Sequence, residues 1–343
     1  MDQVTLDKLT ARSLKYATLE GINMAKVPLS FSKHASESKE ASPVFLGWEW
    51  EVNVKDYLRK DNPAFKCDPS GIYTDDSEPS SMCEGSGAEW VKQVMATPLK
   101  NLINVGQGGE PIEMRSVPAT MKFHRQYMRE IFFQHGFQEI FREGRDCGMH
   151  IHMDQKAFTI PQLKKFIAFV ANPDNTLFIE AIGGRSITGE CRWCKKNYVN
   201  FKRLKNKHIR GYDIVIDPKT LAQKKPEGFK PETDVFYTTK SVAVHTGTFH
   251  GTHEFRIFDS PMTEQDFMKR LEFTDALIRF VQQVRSVPRK LTAFDFTQFV
   301  LENSKDYDYL LKEPALIAQL TGRLASARKI ERSEAHRQKR KAA

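Results

Sequence analysis

FLGWEWEV, residues 45–52, sets two carboxylates, Glu49 and Glu51, two positions apart in a stretch that also carries two tryptophans. Residues two apart on a strand share a face, so Glu49 and Glu51 project together while Trp48, Trp50 and Val52 line the other side. Any strand with one wetted face shows such alternation. The stretch by itself therefore fixes a strand and leaves open whether its acidic face is merely solvated.

Three other stretches repeat the device. In CGMHIHMD (147–154), His150 and His152 share one face while Met149, Ile151 and Met153 share the other. PIEMRSV (111–117) pairs Glu113 with Arg115, and THEFRIF (252–258) pairs Glu254 with Arg256 opposite Phe255. If these faces meet in one sheet, they gather four glutamates, two histidines and two arginines. So many carboxylates repel one another unless cations neutralise them, and oxygen ligands with few thiolates select hard ions such as Mg²⁺ or Mn²⁺. Arginines add forks that suit phosphate oxygens.

The remaining chain alternates strands with helices without a regular β-α-β beat, which predicts an α+β fold with a mainly antiparallel sheet. Residues 1–25 read as helical, and SFSKHASESKEASP (30–43) reads as a polar linker. A Pro-, Ser-, Gly- and Asp-rich region at 61–87 reads as loop. Helices are expected from ATMKFHRQYMREIFFQH, from PQLKKFIAFVANP with Pro161 at its start, from LFIEAIG, and above all from TEQDFMKRLEFTDALIRFVQQVR. VFYTTKSVAVHTG and THEFRIFDS are expected to form a hairpin of strands, and KKNYVNFKRLKNKHIRG (195–211) a surface helix or loop.

Composition narrows the class. A chain of 343 residues, 40% hydrophobic and 28% charged, can bury a sizeable core. No apolar run of signal-peptide or membrane-span length occurs in the opening MDQVTLDKLTARSLKYATLEG, so no membrane association and a cytoplasmic location are expected, the host cytoplasm for a viral protein. Five cysteines, an odd number, argue for reduced thiols. Cys191 and Cys194 form one C-x-x-C, but a structural zinc site usually draws on a second pair. The net charge of +9 is concentrated in 195–211 and in the tail RLASARKIERSEAHRQKRKAA, patches that suit a weak contact with nucleic acid.

Taken in order, G-x-E-x-E (Gly47, Glu49, Glu51), a glutamate strand followed by Ser116 and Pro118, C-G-x-H-x-H (Cys147, Gly148, His150, His152) and E-x-R (Glu254, Arg256) resemble the amidoligase family of carboxylate-amine ligases. The resemblance covers residues 44 to 285. It implies the catalytic fold of glutamine synthetase and glutamate-cysteine ligase, with the active site on one sheet face and helices on the other. It also implies metal ligands Glu49, Glu51, Glu113, His152 and Glu254, with Glu49 and Glu51 on one ion and Glu113 and Glu254 on another. Glu89 in GAEWV competes with Glu113 for the third acidic place. His150 and Arg256 would be catalytic. Arg185 would join them in catalysis, and Arg256, Arg185 and Lys240 would contact ATP. The implied chemistry joins a carboxylate and an amine, on a small molecule, a peptide or a modified base of the kind phages make, using ATP and Mg²⁺ or Mn²⁺. The domain organisation that follows is a helical extension and linker at 1–43, a catalytic domain at 44–300, and a helical extension with a basic tail at 301–343.

Two rivals come from other classes. A His-hydrophobic-His strand is also the metal-binding signature of rolling-circle and relaxase nickases, with Tyr198 in its basic stretch as nucleophile. A non-catalytic nucleic-acid-binding protein on the same fold is the other.

Overall fold

The alternation in FLGWEWEV becomes β1 (Leu46–Val54), the central strand of an antiparallel sheet. Along the chain β1 is followed by β2 (Ile103–Val105), β3 (Ile112–Ser116), α1 (Met121–Tyr127), β4 (Phe141–Arg142) and β5 (Gly148–Asp154). Then come α2 (Ile160–Ala171), α3 (Thr176–Gly183), β6 (Asn200–Arg203), β7 (Ile209–Asp213), β8 (Val215–Ile216), β9 (Gln223–Lys224) and β10 (Val244–His245). The last elements are β11 (Thr252–Asp259), α4 (Glu264–Gln283), α5 (Ala293–Glu302) and α6 (Pro314–Leu320). The structure is a computed structural model and describes residues 44–54, 103–105, 112–116, 118–127, 141–142, 147–187, 194–203, 209–225, 242–248, 251–284 and 291–320. The expected N-terminal helix, the loop at 61–87 and the basic tail lie outside the described residues.

The span expected to be one catalytic domain lies in two compact units that interleave in sequence, Met1–Ala157 with Gly247–Leu271 and Phe158–Thr246 with Glu272–Ala343. The division runs through α4, whose residues 264–271 count with the first unit. The fold is α+β with an antiparallel sheet and helices. Among the described residues, no helix is long and apolar enough to cross a membrane.

In the first unit the sheet order is β11-β5-β1-β3-β2, all antiparallel, and the short β4 pairs with the far end of β1. With a partner on each side, β1 has its ladder satisfied along most of its length, and its apolar face is sealed: Leu46, Trp48, Trp50 and Val52 are at most 1% exposed. Their rung neighbours on the same face, Met114 of β3 and Met149, Ile151 and Met153 of β5, are fully buried. Phe267 of α4 covers this face, its ring edge-on to Trp48 at 5.2 Å and to Trp50 at 5.4 Å. A second tie joins the strand to Ser260, the residue directly after β11. Trp50 Nε1 donates to Ser260 Oγ at 2.9 Å, and Ser260 Oγ donates to the Glu51 carbonyl at 2.7 Å. The buried indole N–H thus finds its partner without breaking the ladder.

α1 closes the other end of the strand. Leu46 and Ala119 exchange two backbone hydrogen bonds of 2.9 Å, and His124 Nε2 adds a third contact to the Leu46 carbonyl at 2.8 Å. His124 is fully buried there.

The second unit packs helices around phenylalanine. Phe296 of α5 lies within 6 Å, centroid to centroid, of Phe169, Phe178, Phe273 and Phe280. Asn175, at the start of α3, donates to the carbonyls of Phe169 and Leu291 and accepts from the Ala293 amide, tying three segments together. Pro161 sits in the first turn of α2, as its missing N–H allows. The basic stretch at 195–211 contributes to a two-stranded ribbon, β6 with β7, rather than the expected helix or loop. Phe201 and Tyr212 are register partners, and such aromatic pairs favour strands over helix.

Candidate metal centre

The four strand pairs read from the sequence do share one face. Glu49 is the register partner of Arg115 on one side and of His150 on the other. Glu51 is opposite Glu113, and Glu254 is opposite His152. Gly47 is the partner of His152 on β1, so that rung carries no competing side chain beside the imidazole. A register shift between Phe255 and Phe258 on β11 lets both phenylalanines bury fully while Arg256 stays on the polar side with Glu254.

The closest grouping is Glu49, His152 and Glu254, each offering one ligand atom and all within 4.8 Å of one another. His152 Nε2 lies 3.3 Å from Glu49 Oε1. His150 Nδ1 lies 3.1 Å from Glu254 Oε1 and 3.7 Å from Glu49 Oε2. Arg256 pairs with Glu254, and Arg115 pairs with Glu113 while its Nε reaches Glu49 Oε1 at 3.3 Å. The grouping differs from the one expected. Glu49 joins His152 and Glu254, whereas Glu51 and Glu113 form the neighbouring rung.

The electrostatics follow from this crowding. Burial pushes the Glu49 carboxyl up, but its contacts with His150 and then His152 outweigh that and hold it well below the usual carboxylate range. Burial also pushes the Glu113 carboxyl up, and the Glu49 charge adds to this, so the Arg115 guanidinium does not bring it back. Burial alone would lower His150, yet its bonds to Glu254 and Glu49 raise it above the ordinary histidine value.

The donor set fits a divalent cation. Two carboxylates and one imidazole, with no thiolate, suit Mg²⁺ and especially Mn²⁺. His152 Nε2 is buried beside them without a hydrogen-bond partner, a polar atom that a cation would satisfy.

Other expected residues belong to the second unit or lie outside the described residues. Arg185 belongs to the second unit, just after Gly184, whose φ of 80° ends α3 in the left-handed region. Lys240, Glu89 and Cys191 lie outside the described residues. Cys194 is buried, its thiol donating to the Ser186 carbonyl. Tyr198, the nucleophile of the nickase reading, is 5% exposed and belongs to the second unit. Two members of this face stand outside the ligand and catalytic set that the resemblance implies: Arg115, which the strand pattern itself places with Glu113, and Thr252. Arg115 stands two residues after Glu113, the same E-x-R spacing as Glu254 and Arg256, and that spacing was the signal for it. Thr252, whose hydroxyl lies 3.0 Å from His152 Nδ1, gives no such signal beyond lying two residues before Glu254. The chain matches no protein-family model and no curated protein.

Proposed function

We propose that the chain is an ATP-dependent carboxylate-amine ligase whose catalytic sheet is of the glutamine synthetase type. The observation that carries this reading is the meeting of Glu49, His152 and Glu254 within 4.8 Å on one sheet face, with Arg256 against Glu254. A nickase would need the histidines and a reachable tyrosine, but it gives Glu49, Glu254 and Arg256 no task, and Tyr198 is buried. A non-catalytic nucleic-acid-binding protein would have no reason to gather like-charged carboxylates on one partly buried sheet face.

In this reading Glu49, His152 and Glu254 would hold a Mg²⁺ or Mn²⁺ ion, and Glu51 and Glu113 stand ready for a second. When bound, the ion supplies positive charge for the phosphates of ATP. The chain's own residues do the rest. Arg256, paired with Glu254, would neutralise charge on the equatorial oxygens of the phosphoryl group in flight. His150, held by Glu254 and Glu49, keeps those two carboxylates apart and oriented. The substrate carboxylate oxygen bonds to the γ-phosphorus as the bond to ADP breaks, giving an acyl phosphate. The amine nitrogen then bonds to the acyl carbon, inorganic phosphate leaves, and the amine gives up a proton to solvent or to a nearby carboxylate.

The test supplies ATP, Mg²⁺ or Mn²⁺ and pools of amino acids, polyamines and DNA, and follows ADP and phosphate release beside DNA nicking. ADP release that falls in Arg256→Gln, by about 10²-fold or more as for other oriented charges, and persists in Tyr198→Phe is expected. ATP-independent nicking abolished by Tyr198→Phe would end the ligase reading.

A further inference from the structure

Thr252 holds the Nδ1 side of His152, opposite the nitrogen that faces the carboxylates, and the hydroxyls behind it can take up the proton arrangement that a metal-binding imidazole needs. The turn between β10 and β11 brings Thr248 against Thr252, with Gly247 and Gly251 in left-handed backbone at φ of 66° and 73°. The Thr252 amide donates to Thr248 Oγ1 at 3.2 Å, and Thr248 Oγ1 donates to the Thr252 carbonyl at 3.0 Å. A hydroxyl has one proton. The Thr252 carbonyl also accepts from the Thr248 amide at 3.0 Å and from Gln155 Nε2 at 3.3 Å, so the Thr248 proton can serve either that carbonyl or, across 2.7 Å, the Thr252 hydroxyl. With the Thr248 proton on the carbonyl, the Thr252 hydroxyl donates to Thr248 Oγ1 and accepts from His152 Nδ1 across 3.0 Å. In that arrangement Nδ1 carries the hydrogen and the lone pair of the neutral ring is on Nε2.

His152 Nε2 is buried without a hydrogen-bond partner, 3.3 Å from a carboxylate oxygen of Glu49 and in the same group as Glu254. With the lone pair on Nε2 two acceptors face each other, and a metal cation between them removes their repulsion. We infer that Thr252, backed by Thr248, is the positioning residue that presents His152 Nε2 as a metal ligand, and that the nitrogen it supplies makes the site favour Mn²⁺ over Mg²⁺. Metal-bound histidines usually donate their other N–H to such an outer partner, which fixes both tautomer and ring orientation. Imidazole suits borderline ions, whereas Mg²⁺ takes oxygen almost alone. The inference rests on the metal reading proposed above and needs no assumption about which substrates are joined.

The experiment measures Mn²⁺ and Mg²⁺ binding to the full chain by calorimetry, together with nitrogen hyperfine coupling to bound Mn²⁺ by pulsed electron paramagnetic resonance, with circular dichroism as a folding control. Wild type should bind Mn²⁺ more tightly than Mg²⁺ and show one imidazole nitrogen. Thr252→Val should weaken Mn²⁺ by about 10–100-fold, diminish the nitrogen coupling and narrow the preference over Mg²⁺. Thr252→Ser, which keeps the hydroxyl, should restore all three. Should Thr252→Val fail to fold, Thr248→Val serves in its place: it removes the acceptor for the Thr252 proton, turns that proton toward Nδ1 and should weaken Mn²⁺ in the same direction. Wild-type Mn²⁺ affinity and nitrogen coupling in the folded Val variant would overturn the inference while leaving the metal site standing. Absence of Mn²⁺ binding by wild type would overturn both.

Discussion

Glu51 and Glu113 face each other as register partners across the β1–β3 ladder, two carboxylates on one rung of a partly buried face. Like charges directly opposite destabilise a sheet. Arg115 does not cancel the effect, because burial and the Glu49 charge come first and the Glu113 carboxyl stays raised. A raised carboxyl means that the folded state keeps its proton after the unfolded chain has given its own up, so stability falls as pH climbs from the ordinary glutamate value through the folded one.

Glu113→Gln should accordingly stabilise the metal-free protein at neutral pH, by about 0.2–1 kcal/mol, and flatten that fall. The same variant should respond less than wild type when Mn²⁺ is added. Thermal melts with and without Mn²⁺ check both signs, and a variant less stable than wild type in the absence of metal would contradict the electrostatic account. The trade, stability given up for a charged site, is common where a site awaits a ligand.

Acid should find a second weak point at His124. Burial holds this imidazole down at about 4 against an ordinary 6.5, and the Leu46 carbonyl it bonds raises it only in part. The unfolded chain takes up the proton first as pH falls, so the contribution of His124 is whole above pH 6.5 and is lost progressively toward pH 4. Over that window the loss amounts to roughly 3 kcal/mol. His124→Gln keeps a donor for the Leu46 carbonyl but cannot charge. Its stability at pH 4.5 relative to pH 7 should drop less than that of wild type in urea titrations, and parallel profiles would show that His124 plays no part in acid sensitivity.

The strands of the acidic face were legible because the two-residue alternation is unbroken in each: Trp48 and Trp50 mark the apolar side as clearly as Glu49 and Glu51 mark the other. The long helix at 264–283 was legible for the same reason at helical spacing. The grouping of ligands was not. Which glutamate meets which histidine depends on register between strands about a hundred residues apart, and one strand's alternation carries no register information; Glu49 meets His150 and Arg115 on its rungs, not Glu51. The ribbon at 200–213 hid for a different reason, since a dense run of lysines and arginines masks the one cross-strand pair, Phe201 with Tyr212, that gives it away. The interleaving of the two units left no mark in composition at all.

That ribbon supplies a third expectation. Lys202 and Arg203 lie on β6, and Lys205 follows them in sequence. If the ribbon grips a nucleic acid, it does so through phosphates, and binding should weaken steeply with salt as counterions are released. Neutralising the three together should make the slope of log affinity against log salt shallower, by about 0.9 for each duplex phosphate that the ribbon no longer neutralises. Fluorescence anisotropy at a series of salt concentrations gives the slope. Affinity that does not change with salt would rule this mode of binding out.

The last expectation concerns the face that the chemistry never touches. Trp48 and Trp50 can bury fully only because Phe267 lies edge-on to both, and the same strand that carries these tryptophans inward carries Glu49 and Glu51 outward. Packing on one side of β1 thus sets the pose of the carboxylates on the other. Phe267→Ala should cost about 3–5 kcal/mol, the usual range for emptying a buried aromatic site, because two rigid indoles cannot close over the gap. Phe267→Leu fills most of the volume and should cost less. If the acidic face depends on this packing, the Ala variant should also lose part of its Mn²⁺-dependent rise in melting temperature at temperatures where it is still folded, since a strand free to tilt no longer holds Glu49 beside His152. A folded Ala variant with the full wild-type metal response would show that the hydrogen-bonded ladder to β3 and β5 alone suffices to hold Glu49 in place.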